Sequence, residues 1–386
     1  MKPRVTILVA GIMACLAANV AHGAWEPFSP GLSGILAAIW GTAEHNLMIA
    51  QQHGAVMRYD GTSWTEMPGD QADWLVGLFG FSADSVFAAG GTSYGSGQLV
   101  GWDGTAWTLL GDGGYNDFRG IWGSAPDDLF FPSVGIGTGG AIVHWDGASL
   151  SPYGIGRWLT PNGICGDSPT NAYAAGNQLT NSNWVFHWNG SSWVQVFSGS
   201  ANALQDVWCA SGQVFAVGDG GTVVRFDGTS WTEAVVGNGL DWKCVWGSSV
   251  TDVFIAGASG AVYHWNGIEW SSMLSGVSAT LRDVWGLDAE RIYAVGEDGV
   301  ILRYRRDPVP TATPLPTETP AATQTPSSTS TPPPTEPPTA PPTGPRPRTT
   351  HQPPLGGPGT DSSRPRGRTA NAARATCGVY RVQGES

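Results

Sequence analysis

From residue 36 onward, short apolar runs alternate with breaks rich in Gly, Asp and Asn, and the runs come in sets. The last set contains "LRDVWG", "RIYAVG" and "VILRYR", each the length of a strand with turn residues between them. One run of each set is unmistakable: Ile39-Trp40-Gly41, Leu78-Phe79-Gly80, Ile121-Trp122-Gly123, Ile164-Cys165-Gly166, Val207-Trp208-Cys209, Val245-Trp246-Gly247 and Val284-Trp285-Gly286. The central residues are spaced by 39, 43, 43, 43, 38 and 39 positions. A unit this short cannot bury both faces of its own sheet, so it must stack on its neighbours; the pattern predicts an all-β, seven-bladed β-propeller.

Within each repeat the runs define strands A to D. Strands C and D are joined by Asp60-Gly61, Asp103-Gly104, Asp146-Gly147, Asn189-Gly190, Asp227-Gly228 and Asn266-Gly267, dipeptides that suit a type I′ hairpin with two residues at positive φ. Strand D then begins with Trp64, Trp107, Trp193, Trp231 or Trp270, and with Leu150 in the third repeat. The seventh repeat turns to Pro after Arg305-Arg306-Asp307 and has no strand D of its own. Trp25-Glu26-Pro27 resembles the missing strand, so the N-terminal segment is expected to complete the last blade and remove its open edge.

The ends of the chain differ from this body. Lys2 and Arg4, an apolar stretch from Val5 to Ala18 and Ala21-His22-Gly23 have the layout of a secretory signal over residues 1–23; a lipoprotein signal ending at Cys15 is the rival reading. Residues 24–307 form the propeller, 308–345 a Pro/Thr-rich extended linker, and 346–386 an Arg-rich tail expected to be disordered. A secreted or surface-displayed monomer without a membrane span follows. The propeller segment carries 27 Asp and Glu against 10 Lys and Arg, a net charge of −17, which excludes the basic footprint of a nucleic-acid partner. Cys165, Cys209, Cys244 and Cys377 lack paired metal-site spacing, and no metal or cofactor is implied. Cys165 takes the repeat Trp position and Cys209 the following position one blade on; buried free thiols are the expectation, a bond across the blade interface the alternative.

The segments Asp60-Gly61-Thr62-Ser63-Trp64 and Asp227-Gly228-Thr229-Ser230-Trp231 resemble the Asp-box, or BNR, propellers, a class that includes sialidases and many secreted bacterial proteins. The usual Asp box has one more residue before the aromatic. The "VWG" runs are also similar to those of tectonin-type lectins at a different spacing. The first resemblance implies the propeller fold; the second points toward carbohydrate binding. The repeat Trp residues themselves are expected to fill the gaps between blades.

Ligands of propellers gather on the face shared by the D-to-A and B-to-C connections. The B-to-C segments are longer in repeats two to four, Gly90 to Gln98, Phe131 to Gly140 and Gly176 to Asn183, so that side of the face is expected to be raised by loops. Three residues before each repeat Trp stand Ala37, Val76, Arg119, Asn162, Gln205, Lys243 and Arg282, expected to ring the channel mouth; the bases among them would attract an anionic group unless they pair with Asp206, Asp283 or water. Trp74, Tyr94, Tyr115, Trp158 and Trp242 are the aromatic candidates for stacking on a sugar; Trp242, like Phe118, aligns with Leu36, Leu75, Leu204 and Leu281 of other repeats, so a core role is its alternative, and Trp74 and Trp158 lack such apolar equivalents. With Arg119, Asn162, Gln205, Lys243 and Arg282 they make up the expected site of a glycan- or polymer-binding module. A sialidase-like hydrolase or a lyase is the enzymatic alternative and a protein-interaction scaffold the third. No catalytic residue is assigned: GxSxG, HExxH and phosphate-loop motifs are absent, and His144, His187 and His264 share one strand C position as repeat features.

Overall fold

The structure, a computed structural model, describes residues 23–306 apart from 70, 71, 94, 115, 136–138, 157, 179–181 and 201. Tyr94, Tyr115 and, but for Gly23, the expected signal peptide, linker and tail lie outside the described residues. The chain forms seven antiparallel sheets arranged as the blades of a β-propeller. Strand A of each blade packs on strand A of the next, and strand A of blade seven packs on that of blade one, so the inner strands close a ring. Among the described residues there is no α-helix, hence no helix long and apolar enough to cross a membrane.

The N-terminal strand closes the ring as its sequence predicts. Ala24–Pro27 pairs antiparallel with Ile301–Arg305, placing Trp25 opposite Tyr304 with their rings 5.4 Å apart. Trp25 and Phe28 are buried, each contributing about 1.5–3 kcal/mol by leaving water. Glu26 accepts hydrogen bonds from Arg303 at 2.7 Å and Arg305 at 2.6 Å, a half-exposed pairing that adds less.

The packing between blades explains the Trp-Gly dipeptide. The ring of Trp40 lies so close over Gly80 that a Cβ there would come within 2.6 Å of it; the same holds for Trp122 over Gly166 at 2.4 Å, Trp208 over Gly247 at 2.9 Å and Trp246 over Gly286 at 2.5 Å. Each of these four Trp residues therefore covers the glycine of the following blade, where no side chain fits. Blade four breaks the rule, because Cys165 stands at the Trp position and Cys209 at the glycine position of blade five. These two are joined by a disulfide, with Cα atoms 5.9 Å apart. The expectation of free thiols is corrected here: the bond replaces a Trp-over-Gly contact, which already brings the two backbones to bonding distance. Cys244 remains a buried thiol, donating weakly to the Ala256 carbonyl.

Two local expectations also change. In the C–D turns only the glycine has positive φ, between 89° and 100°, so the turns are not type I′. What selects Asp or Asn is the side-chain acceptor: Asp60 Oδ1 receives the N–H groups of Thr62 and Ser63 at 2.8 and 2.9 Å, and the other five turns repeat this. The raised side of blades two to four is built largely of strand rather than loop. Their B–C hairpins stay paired to Gly91↔Gly97, Gly135↔Gly139 and Gln178↔Ser182, whereas the hairpin of blade five ends its ladder at Val217↔Val223.

Candidate functional site

The ring residues share a structural cause. In six blades the A–B register slips by one residue, at Ala37, Val76, Asn162, Gln205, Lys243 and Arg282. Each is the extra residue of a β-bulge, which re-aims a side chain off the alternation of the strand. In blade three strand A breaks instead into Asn116–Phe118 and Trp122–Ala125, with the Arg119 N–H donating to Pro132 at 2.8 Å. Pro132 has no N–H to return, which interrupts the ladder there.

The side chains at these positions are engaged with the protein. Asn162 donates to the Leu204 carbonyl at 2.8 Å and Gln205 to Asp219 at 3.0 Å, and both are buried. Lys243 Nζ lies 3.0 Å from Asp219 and 3.7 Å from Asp241, while Arg282 pairs with Glu297. Burial pushes the Glu297 carboxyl up, yet the Arg282 bond holds it below the ordinary carboxylate range. Burial raises Asp117, with the charge of Arg119 pulling the other way. The acids that meet Lys243 and Arg282 thus come from B–C turns and a D–A connection. Asp206 and Asp283 do a different job: fully buried, they accept the N–H groups of Val245 and Ile39 on the next blade, each at 2.9 Å. The ring is a set of ion pairs and amides more than a cationic trap.

The aromatic candidates separate sharply. Trp242 is fully buried, its indole N–H bonded to the Val236 carbonyl at 3.1 Å and its ring set against Tyr263; it is a core residue, which corrects its place among ligand contacts. Trp74 is half-buried, its indole against Gly91 of its own hairpin. Trp158 stands out, with 62% of its surface exposed and a φ of +68°. A bulky residue in the left-handed region is strained by about 1–3 kcal/mol.

His144, His187 and His264 form repeated networks at the other ends of the blades. Their Nε2 atoms lie 2.8, 2.8 and 2.7 Å from Asp128, Asn171 and Asp252, and each ring packs on a strand B aromatic, stacked for His144 and His264 and tilted for His187. Ser124 and Ser248 donate to the same Asp128 and Asp252. The carboxylate therefore stands between hydroxyl and imidazole, and the imidazole is not placed to take the hydroxyl proton as a serine nucleophile requires. Among the described residues no group of three His, Cys, Asp or Glu is arranged to hold a metal ion.

The opposite mouth of the channel, where strands A turn into strands B, holds a cavity of about 590 Å³ between blades six, seven, one and two. Trp40, Trp246, Trp285, Phe81 and Leu287 line it beside Asp288. These residues are absent from the expected site. A signal was present: the position after the repeat glycine is Thr42, Ser124, Asp167, Ala210 or Ser248 elsewhere, and only Phe81 and Leu287 are large and apolar there.

No protein-family model and no curated protein sequence matches the chain. Solved structures do. YCF48 bound to a D1 peptide is similar at 14% identity and a TM-score of 0.58, covering 76% of this chain and 100% of that one. YCF48 from Cyanidioschyzon merolae has 16% identity and a TM-score of 0.56, covering 74% and 100%. The WD40 β-propeller domain of Doa1 has 10% identity and a TM-score of 0.56, covering 74% and 98%. The likeness is one of fold. It makes the chain a β-propeller repeat protein, an architecture consistent with a binding or interaction module.

Proposed function

We propose that this protein is an exported binding module that holds a polymeric ligand, a glycan first, against Trp158 on the loop face. Trp158 is the observation that carries the reading. Its exposed indole adds little to the core, and its left-handed backbone opposes folding, so a role in recognition accounts for this residue better than packing does. A flat indole exposed to water is a stacking platform for a sugar ring. The ion pairing of Lys243 and Arg282 favours a neutral glycan over an anionic one. Export is supported by the basic, apolar and small-residue order of residues 1–23 and by the Cys165–Cys209 disulfide, a bond that persists in oxidising compartments.

A protein ligand is the second reading, favoured by the peptide-bound YCF48 among the fold neighbours, since an exposed Trp is also a typical anchor of a peptide contact. The test is a glycan array and a peptide array probed with the full chain and with Trp158→Ala. Glycan binding lost in the variant supports the first reading, and peptide binding lost supports the second. Retention of all binding by the variant overturns both.

A further inference from the structure

The cavity at the A-to-B mouth has a chemistry of its own. Its volume of about 590 Å³ lies within the range of small-ligand sites, roughly 300–1,000 Å³. Trp40, Trp246 and Trp285 line it at their margins together with Phe81, Leu287 and the repeat glycines Gly41, Gly80, Gly247 and Gly286. The three Trp residues keep 4–7% of their surface exposed, whereas their equivalents Trp122 and Trp208 keep 1% and do not line the cavity. Phe81 is 37% exposed, held edge-on by Phe79 and Phe87.

Charge narrows the ligand. Among the described residues no Lys, Arg or His lines the cavity; its one ionisable lining residue is Asp288, which pairs with Arg291. In the blades that form the cavity, the A–B turns present exposed Glu44, Asp84 and Glu290 on the same face, and the C–D turns present exposed Asp60 and Asp103. The Asp60 and Asp103 carboxylates are held below their ordinary range by the hydrogen bonds they accept, for Asp60 from the backbone N–H groups of its turn and for Asp103 from the Thr105 hydroxyl and the backbone N–H groups of its turn, so the rim stays negative. The cations nearby are engaged: Arg58 donates to Asn46, Arg225 to Gln213 over the Phe215 ring, and Arg306 to Asp252.

We propose that this cavity binds an organic cation, an alkylated ammonium group being the class that fits. The exposed Phe81 ring attracts such a group by cation–π contact, and an acidic rim raises its local concentration. An anion meets repulsion with no basic partner on the lining. The inference stands apart from the glycan reading, which concerns the opposite end of the channel.

The test titrates the full chain with choline and with its neutral isostere 3,3-dimethylbutan-1-ol, followed by indole fluorescence and calorimetry. Choline is expected to bind at least about tenfold more tightly than the alcohol. Phe81→Ala and Asp288→Asn are each expected to weaken choline several-fold, with thermal unfolding confirming that the variants fold; the amide that replaces the Asp288 carboxylate keeps an oxygen to cap the turn. Vesicles of phosphatidylcholine separate the sources: co-sedimentation that choline competes away assigns a lipid headgroup, and choline binding without it assigns a free compound. Equal binding of choline and alcohol, binding indifferent to both substitutions, or no binding of choline or vesicles overturns the proposal.

Discussion

At the loop-face end of the inner strands, each of six blades places a bulge residue whose identity varies from Ala37 to Arg282; a few residues further along, three of the same strands, those of blades one, five and six, place a Trp over the glycine of the next blade. Lys243 and Trp246 sit on one strand only three residues apart. The first is a partly exposed cation tied to Asp219 and Asp241; the second is a buried ring that fills the joint between blades six and seven. A bulge re-aims its side chain off the alternation of the strand, so what stands there is set by its partners at the channel mouth rather than by the joint between blades. The Trp-over-Gly contact has no freedom, because ring and backbone meet without spare volume.

The largest effect that separates the two ends is expected from Trp246→Ala, about 3–5 kcal/mol of lost stability by loss of a buried indole and the cavity it leaves. Thermal unfolding should fall by on the order of 10 °C. Gly286→Ala alone is expected to destabilise by about 1–3 kcal/mol, since its methyl meets the Trp246 ring. The double variant should be more stable than the sum of the two losses predicts, and additive losses would deny the contact.

Replacing Cys165 and Cys209 together by Ser is expected to remove about 2–4 kcal/mol, measured by denaturant unfolding of the oxidised protein and the double variant. Reduction of the wild type should approach the same value. A double variant as stable as the oxidised protein would mean that the bond adds nothing to the joint between blades four and five.

Acid sharpens the comparison at the A–B end. Burial pushes the Asp252 carboxyl up, but hydrogen bonds from His264, Ser248 and Arg306 outweigh it and hold the group below its ordinary value. Its folded-state value is thus depressed relative to the unfolded chain, so its contribution is full above about pH 4 and is lost as pH falls through the folded value. His264→Phe removes one donor and should move the acid-unfolding midpoint, followed by Trp fluorescence, to higher pH. No movement would show that Ser248 and Arg306 suffice.

The smallest change is expected from Lys243→Ala, under about 1 kcal/mol, because its ion pairs are partly exposed and screened. A loss as large as that of Trp246→Ala would erase the distinction between the two ends.

Much of this was legible in the chain. The period near 40, the four strands, the A–D order and the N-terminal strand beside Arg303 and Tyr304 follow from local alternation and from one missing strand. The Trp residues were expected between blades, and they are there. The candidate site was less legible. Repeat alignment separated two of the aromatics, setting Trp242 on the strand A position of Leu36, Leu75, Leu204 and Leu281, where it is fully buried, and leaving Trp158 without an apolar equivalent, where it is 62% exposed; it could not show which ring residues would find acidic partners, because those come from other hairpins.

What the sequence determined by itself is therefore the architecture: strand period and turn chemistry are properties of adjacent residues, and a repeat states them seven times. What the tertiary structure decided is partnership. Cys165 meets Cys209 across 44 positions, Lys243 meets Asp219 across 24, and the cavity draws its lining from the first, second, sixth and seventh blades. Those pairings depend on distances between blades, which exist only once the ring has closed, and one-dimensional spacing carries no measure of them.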